Sequence, residues 1–243
     1  AETGMLERFE HGYPEVSGIE HVGIQKQKDG KNFICVPVIG GVLSGEKLRE
    51  IANIADEFEG EIRLTPYQNF ILPHVPNGEL DTVLKWLKEI GLPVEGARMR
   101  WDIVGCPSNF CGKSVDPHPK EVAKRIVEHL ENCFGEKLTN LKLLVHLSGC
   151  LHDCGLHRVA HIGLLGVKAV GDDGVRELYN LSLGGDLGAK SSLSQPVKNM
   201  LTPEQAVTAV EKLVRACLKE GFDDFGEFCR AHKLEELKSI ASK

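Results

Sequence analysis

The sequence predicts an α+β protein built from two units, residues 1–95 and 96–243. Three observations carry that reading. Strand-type and helix-type apolar patterns alternate through the first unit. Pro93–Gly96 interrupts the pattern. Beyond it, the mostly apolar run Leu141–Leu147 reads as a strand buried on both faces and leads straight into Ser148-Gly149-Cys150.

Ile19–Gln25 and Phe33–Val38 read as strands joined by the polar turn Lys28-Asp29-Gly30-Lys31. Ser44 is placed to cap a helix whose apolar stripe is Leu48, Ile51, Ala52, Ala55 and Phe58, and Gly60 stops it. Glu61–Thr65 and Asn69–Pro73 are short strands. Asn77 is expected to cap a second helix, with Leu80, Val83, Leu84, Leu87 and Ile90 on one face and Gly91 at its end. Both helices are expected on one face of the sheet. In the second unit, Asp116-Pro117 is expected to open a helix by cap and N1 proline, with Val122, Ile126, Val127, Leu130 and Phe134 facing inward. His161–Leu165 and Glu177–Leu183 are strands, and Gly184-Gly185-Asp186 turns the chain. Thr202-Pro203 with Gln205 forms a capping box ahead of a helix bearing Ala206, Val207, Val210, Leu213, Val214 and Cys217.

Composition narrows the function classes. Of 243 residues, 42% are hydrophobic and 26% charged, a globular balance. No apolar run approaches the ~20 residues of a membrane span, so no span is expected. The formal net charge of −6 argues against a nucleic-acid partner. Eight cysteines without a basic-then-apolar leader point to a reducing, cytoplasmic setting, with thiols kept for metal or redox chemistry.

Four cysteines stand alone: Cys35, Cys133, Cys217 and Cys229. The others pair, Cys106 with Cys111 as C-x4-C and Cys150 with Cys154 as C-x3-C. Four thiolates complete a zinc site or an iron–sulfur cluster. Gly105, Pro107 and Gly112 flank the first pair, so backbone can approach a bulky inorganic group. The C-x4-C spacing sits at the edge of the zinc range and favours a cluster, while buried, idle thiols are the plain alternative. His146, His152, His157 and His161 surround the second pair, as proton suppliers or as ordinary loop residues. Arg63, Arg98, Arg100, Lys113 and Arg158 gather near the cysteines and suggest an anionic cofactor or substrate, against the alternative of a solvated face.

Ser148-Gly149-Cys150-Leu151-His152-Asp153-Cys154-Gly155, followed by His161-Ile162-Gly163-Leu164-Leu165-Gly166, resembles the second-cysteine-pair signature of sirohaem-dependent nitrite and sulfite reductases. Tyr179-Asn180-Leu181-Ser182-Leu183-Gly184-Gly185 is similar to the same family's Y-N-hydrophobic-x-L-G-G run. Arg63-Leu64-Thr65-Pro66-Tyr67-Gln68-Asn69 resembles its R-hydrophobic-T-x-x-Q-N motif, and Val38–Leu43 its G-x-L segment. The resemblance runs from about His21 to His232.

The resemblance implies a ferredoxin-like half-domain (1–95) followed by an α/β sirohaem/[4Fe–4S]-binding domain (96–243). It implies a cluster on Cys106, Cys111, Cys150 and Cys154, with Cys154 bridging to the sirohaem iron. Arg63, Gln68, Asn69 and Arg158 would contact the sirohaem. Arg98, Arg100 and Lys113 would serve a sulfite or nitrite anion reduced by six electrons to sulfide or ammonia. Two departures stand out. The first pair is C-x4-C where the family has C-x5-C, and only the cluster-bearing one of the family's two repeats is visible. The chain would then pair with another in a homo- or hetero-oligomer that supplies the second repeat, work as a compact minimal enzyme, or be a fragment, with electrons coming from a donor protein or subunit. Three alternatives remain open: a cluster-only electron-transfer subunit, a tetrapyrrole-modifying enzyme of the same fold, and a zinc-stabilised domain.

Overall fold

Alternating apolar residues build the first sheet of this computed structural model, which describes residues 21–107, 114–116, 118–171, 174–187 and 190–242. Strands β1 (Gly23–Lys26), β2 (Asn32–Val36), β3 (Arg63–Leu64) and β4 (Phe70–Val75) form an antiparallel sheet in the order β1-β2-β4-β3. Ile34, Val36, Phe70 and Leu72 are buried beneath helices α1 (Gly45–Asp56) and α2 (Leu80–Glu89), through Ile51, Ile54, Val83 and Leu87. Both helices therefore cover one sheet face, as the sequence predicts. Ser44 caps α1 by accepting from the Lys47 N–H. Asn77 does not cap α2. Its side chain serves Lys26, Asn32 and Gly30 across the sheet, and Glu79 occupies the cap position.

The second sheet runs β5 (Ile103–Gly105), β6 (Val145–Ser148), β7 (Ile162–Gly171), β8 (Gly174–Leu183) and β9 (Gln195–Leu201), in that order. The first three are parallel and the last two antiparallel additions. A one-turn helix α3 (Met99–Asp102) precedes β5, and α4 (Pro119–Phe134) crosses from β5 to β6. Helix α5 (Pro203–Lys219) follows β9, and α6 (Phe225–Ala231) and α7 (Leu234–Ser242) close the described chain. Thr202 and Gln205 make the expected capping box. Helix α4 opens two residues later than expected, with His118 as cap and Pro119 at N1. The Asp116 N–H goes instead to the Glu177 carboxylate on β8, and Pro117 lies outside the described residues.

The second core joins Val122, Ile126 and Leu130 of α4 and Val210, Leu213 and Val214 of α5 to Val145, Leu147, Ile162, Leu164 and Leu181 of the sheet. Each such buried side chain contributes about 1.5–3 kcal/mol.

The two units are joined by specific polar contacts. The Trp101 indole N–H donates to the Cys35 carbonyl at 2.7 Å. Lys120, on the first turn of α4, donates to the Gly41 carbonyl at 3.1 Å. Gln68 and Asn69, in the turn before β4, reach the β5 region. Among the described residues no helix is long and apolar enough to cross a membrane.

Candidate cluster and cofactor site

The C-terminal ends of neighbouring parallel strands are where α/β sheets place ligands, and both cysteine loops leave from there. Cys106 immediately follows β5, and its N–H donates to the Leu147 carbonyl at 2.8 Å, continuing the β5–β6 pairing. Cys150 lies two residues beyond β6. The Val115 N–H donates to the Gly149 carbonyl at 3.3 Å, so the far side of the first loop leans on the second. Cys111 and Lys113 lie outside the described residues. Cys106 is buried, Cys150 half-buried and Cys154 exposed.

These three thiols do not converge within 4.8 Å of one another. A single tetrahedral zinc ion requires sulfurs about 3.8 Å apart, given Zn–S bonds near 2.3 Å. A cubane, whose thiolates bind different iron corners, needs them farther apart. Thiols carried on two loops that leave adjacent strand ends suit the separate iron corners of a cluster.

One hydrogen-bonded hub shapes the second loop. The Ser148 hydroxyl donates to Asp153 Oδ1 at 2.6 Å and accepts from the Gly155 N–H at 3.1 Å. Asp153 also accepts from the His157 N–H at 2.9 Å and from its ring. Burial pushes the Asp153 pKa up, but the bonds from Ser148 and His157 outweigh it and hold the carboxyl below its usual range. Asp153 and Leu156 both adopt left-handed backbone, folding the loop back over β6. His152 Nδ1 lies 3.5 Å from the Cys150 sulfur. Arg158 is largely exposed, with Nε 3.8 Å from Asp153.

His146, on β6, is buried beneath this loop. Its Nδ1 meets the Leu156 carbonyl at 3.2 Å, the Tyr67 ring stands 6.1 Å away, and Nε2 is buried without a hydrogen-bond partner. Burial pushes its pKa down to about 4. Above pH 6.5 the ring is neutral folded or unfolded. As pH falls from 6.5 toward 4, only the unfolded chain takes the proton, so stability is lost across that window. The shift corresponds to about 3 kcal/mol. Urea unfolding at pH 7 and pH 4 should show that loss in the natural chain and a flatter dependence in His146→Gln. Equal slopes would refute the assignment.

His161 sits deeper. Its Nδ1 accepts from the Leu144 N–H at 3.3 Å, and Nε2 faces Asp186 at 3.6 Å and Asp224 at 4.0 Å. Burial draws its pKa down against the pull of the two carboxylates. It serves the core of the second unit rather than the cysteine loop.

The structure separates the other candidate residues. Gln68 clamps the residue before Cys106: its Nε2 donates to the Gly105 carbonyl at 2.9 Å, and its Oε1 accepts from the Gly105 N–H at 3.2 Å. Asn69 Oδ1 accepts from the Val38 N–H at 3.0 Å, and its Nδ2 donates to the Trp101 carbonyl at 2.8 Å. Its polar atoms thus hold protein to protein, where the resemblance implied sirohaem. Arg98 lines a cavity of about 420 Å³ between the units, with Tyr67, Trp101, Lys142 and Asp186, and pairs with Asp102 at 3.6 Å. Arg100 points elsewhere and makes a two-pronged pair with Glu131 on α4, Nη2 donating at 2.8 Å. That pairing, a strong geometry for arginine, corrects the expectation that Arg100 faces the anion with Arg98. Arg63 is exposed and paired with Glu61 on the open face of the first sheet.

Sequence reasoning missed Lys120 and Lys142. Lys120 is held by the Gly41 carbonyl; burial draws its pKa down while the Cys106 thiol opposes it. Lys142 enters the cavity from the segment before β6. Neither has a local pattern to mark it.

Residues 97–225 match the nitrite and sulphite reductase 4Fe-4S domain, and residues 25–90 the nitrite/sulfite reductase ferredoxin-like half domain. The chain belongs to the nitrite and sulfite reductase family. It is 30% identical over 212 residues to sulfite reductase [ferredoxin] 2 of Mycolicibacterium paratuberculosis, covering 85% of this chain and 38% of that one. It is 29% identical over 211 residues to the assimilatory ferredoxin-dependent nitrite reductase of Haloferax mediterranei, covering 86% and 36%. The Mycobacterium tuberculosis NirA structure superposes with a TM-score of 0.80 at 26% identity, covering 90% of this chain and 41% of that one. The chain thus spans about two fifths of the length of these relatives. Members of this family carry sirohaem and a [4Fe–4S] cluster.

Proposed function

We propose that this chain is the cluster-bearing half of a sirohaem/[4Fe–4S] oxidoreductase that reduces sulfite to sulfide or nitrite to ammonia. The observation that carries the reading is the pair of cysteine loops emerging side by side from β5 and β6. Cys106, Cys111, Cys150 and Cys154 would hold the cluster, and Cys154, the exposed thiol of the described three, would face the sirohaem. When bound, cluster and sirohaem would relay the six electrons, taken one at a time from an external donor, to the anion. The chain's own residues position and charge the surroundings. Gln68 fixes the backbone before Cys106, and Ser148 and Asp153 fix the loop between Cys150 and Cys154. Arg158, Arg98, Lys142 and Lys120 provide cations for the carboxylates of a tetrapyrrole and for an oxyanion. Lys113 is assigned with them by its place beside Cys111.

The domain division is proposed at residue 95, between the two matched segments. A second repeat, from a partner chain or another part of a longer one, would complete the unit. The open face of the first sheet favours this, because Leu64 is exposed there and Phe33 and Ile71 are only partly covered by the described chain. The donor would be a ferredoxin-type protein, as in the relatives' names, and the setting cytoplasmic.

Protein purified anaerobically from sirohaem-competent cells should be coloured, with a Soret band, a red-region band, and iron with acid-labile sulfide. Cys150→Ser should lose both iron and sulfide while keeping its fold by circular dichroism. Broad cluster absorption without a haem band would identify an electron-transfer subunit instead. A folded, colourless and iron-free natural chain would sink the proposal.

A further inference from the structure

A second set of metal-ligating side chains lies on the outer helical layer, outside the cysteine loops. His129 and Cys133 are four residues apart on α4, so both project from one face. Glu211, on the adjacent α5, reaches the same point. His129 Nε2 lies 2.8 Å from Glu211 Oε2 and 3.7 Å from the Cys133 sulfur, and all three donor atoms fall within 4.8 Å of one another. Among the described residues no other three His, Cys, Asp or Glu side chains converge this closely.

The spacing is close to what one tetrahedral ion demands. Bonds of about 2.3 Å to sulfur and 2.05 Å to nitrogen at a tetrahedral angle put S and N about 3.6 Å apart, and two N/O ligands about 3.3 Å apart. The sulfur–nitrogen pair already matches, and the nitrogen–oxygen pair needs to open by about 0.5 Å. Backbone movement is not required, because His129 and Cys133 are carried on successive turns of a 16-residue helix.

The surroundings orient the set. Arg215 donates to the other Glu211 oxygen, Oε1, at 2.6 Å, and its guanidinium is anchored over the Phe134 ring at 4.9 Å. Glu211 therefore turns Oε2 toward His129, the kind of outer support that metal-bound carboxylates receive. Arg125, which lines the same surface hollow as His129, is engaged by Glu121 and Glu204. Cys133 is exposed, which leaves a fourth position open to water. A thiolate, an imidazole and a carboxylate together suit a borderline divalent cation better than a hard one.

We infer that His129, Cys133 and Glu211 form a binding site for a zinc-type divalent cation, with three protein ligands and one water. The site is independent of the cluster and ties α4 to α5 across the outside of the second core.

The test uses cluster-loaded protein, freed of loose metal by EDTA and titrated anaerobically with Zn(II). Native mass spectrometry should report one zinc per chain beside an unchanged iron content. Cys133→Ser and His129→Ala should each weaken that zinc by about tenfold or more, and Glu211→Gln should weaken it while leaving the fold intact. In the natural chain, one equivalent of zinc should also slow iodoacetamide labelling at Cys133, read by peptide mapping. Equal zinc binding in Cys133→Ser, or labelling at Cys133 indifferent to stoichiometric zinc, would overturn the site. Because labelling is read at Cys133 itself, zinc taken up by unloaded cluster cysteines does not imitate the result.

Discussion

Gly155→Ala is expected to strip the protein of its iron and lower its stability by about 3 kcal/mol or more. A methyl group at residue 155 would lie 2.0 Å from the Leu147 carbonyl oxygen, 2.7 Å from its carbon and 3.0 Å from the Ser148 hydroxyl. The first two are backbone atoms of a buried central strand and cannot swing aside. The Leu147 carbonyl is the acceptor for the Cys106 N–H, and the Ser148 hydroxyl is the hub that binds both Asp153 and the Gly155 N–H. One methyl would therefore disturb both cysteine loops together, where loss of a single ligand leaves three. Overpacking against rigid atoms costs about 1–3 kcal/mol, and each buried hydrogen bond broken adds a similar amount. Gly78→Ala is the control, because a methyl there meets nothing within 4 Å. Thermal melting and iron content should fall for Gly155→Ala and hold for Gly78→Ala. A Gly155→Ala protein with full iron and an unchanged melting temperature would show that the loop is not held in this shape.

Local signals in the sequence were legible because they act over a few residues. Ser44 and Thr202 cap their helices as expected, and the apolar stripes of α2, α4 and α5 face their cores, whereas in α1 the expected Leu48 is exposed and Ile54, outside the expected stripe, is buried. The cysteine pairs could be placed at strand ends for the same reason: a buried run followed by small residues is a local pattern. Choices made between distant segments were not legible. Asn77 looks like a helix cap, yet Asn32 and Lys26, far off in sequence, take its side chain. Two cap-and-proline pairs stand in succession before α4, and the Asp116 N–H goes to Glu177, 61 residues away. Strand β9 and helices α6 and α7 carried no expectation of their own; the burial of Leu201, Phe225 and Phe228 is set by the partners they meet. The site shows the same division. The cationic residues were countable, but the partner each one takes, Glu131 for Arg100 above all, is set by distant parts of the chain.

Asn69 is the case in which that distinction has the largest energetic consequence. Its side chain is 4% exposed and is one of the polar links between the units. Replacing it with Ala leaves the Val38 N–H and the Trp101 carbonyl buried without these partners. At about 1–3 kcal/mol for each orphaned group, Asn69→Ala should cost about 4 kcal/mol, seen as a lower urea midpoint. Asn69→Asp separates this role from a contact to a bound tetrapyrrole. An aspartate keeps the acceptor for Val38 but sets a carboxylate oxygen against the Trp101 carbonyl, where the amide had donated. That repulsion and burial raise the carboxyl's folded pKa above its unfolded value of about 3.9. The penalty is therefore present at pH 7 and is relieved as pH falls and the carboxyl regains a proton to donate. The stability gap between Asn69→Asp and the natural chain should narrow from pH 7 to pH 4, in protein with or without bound tetrapyrrole. A gap that appeared only with tetrapyrrole bound, or that stayed constant with pH, would return Asn69 to the cofactor contact its motif implied.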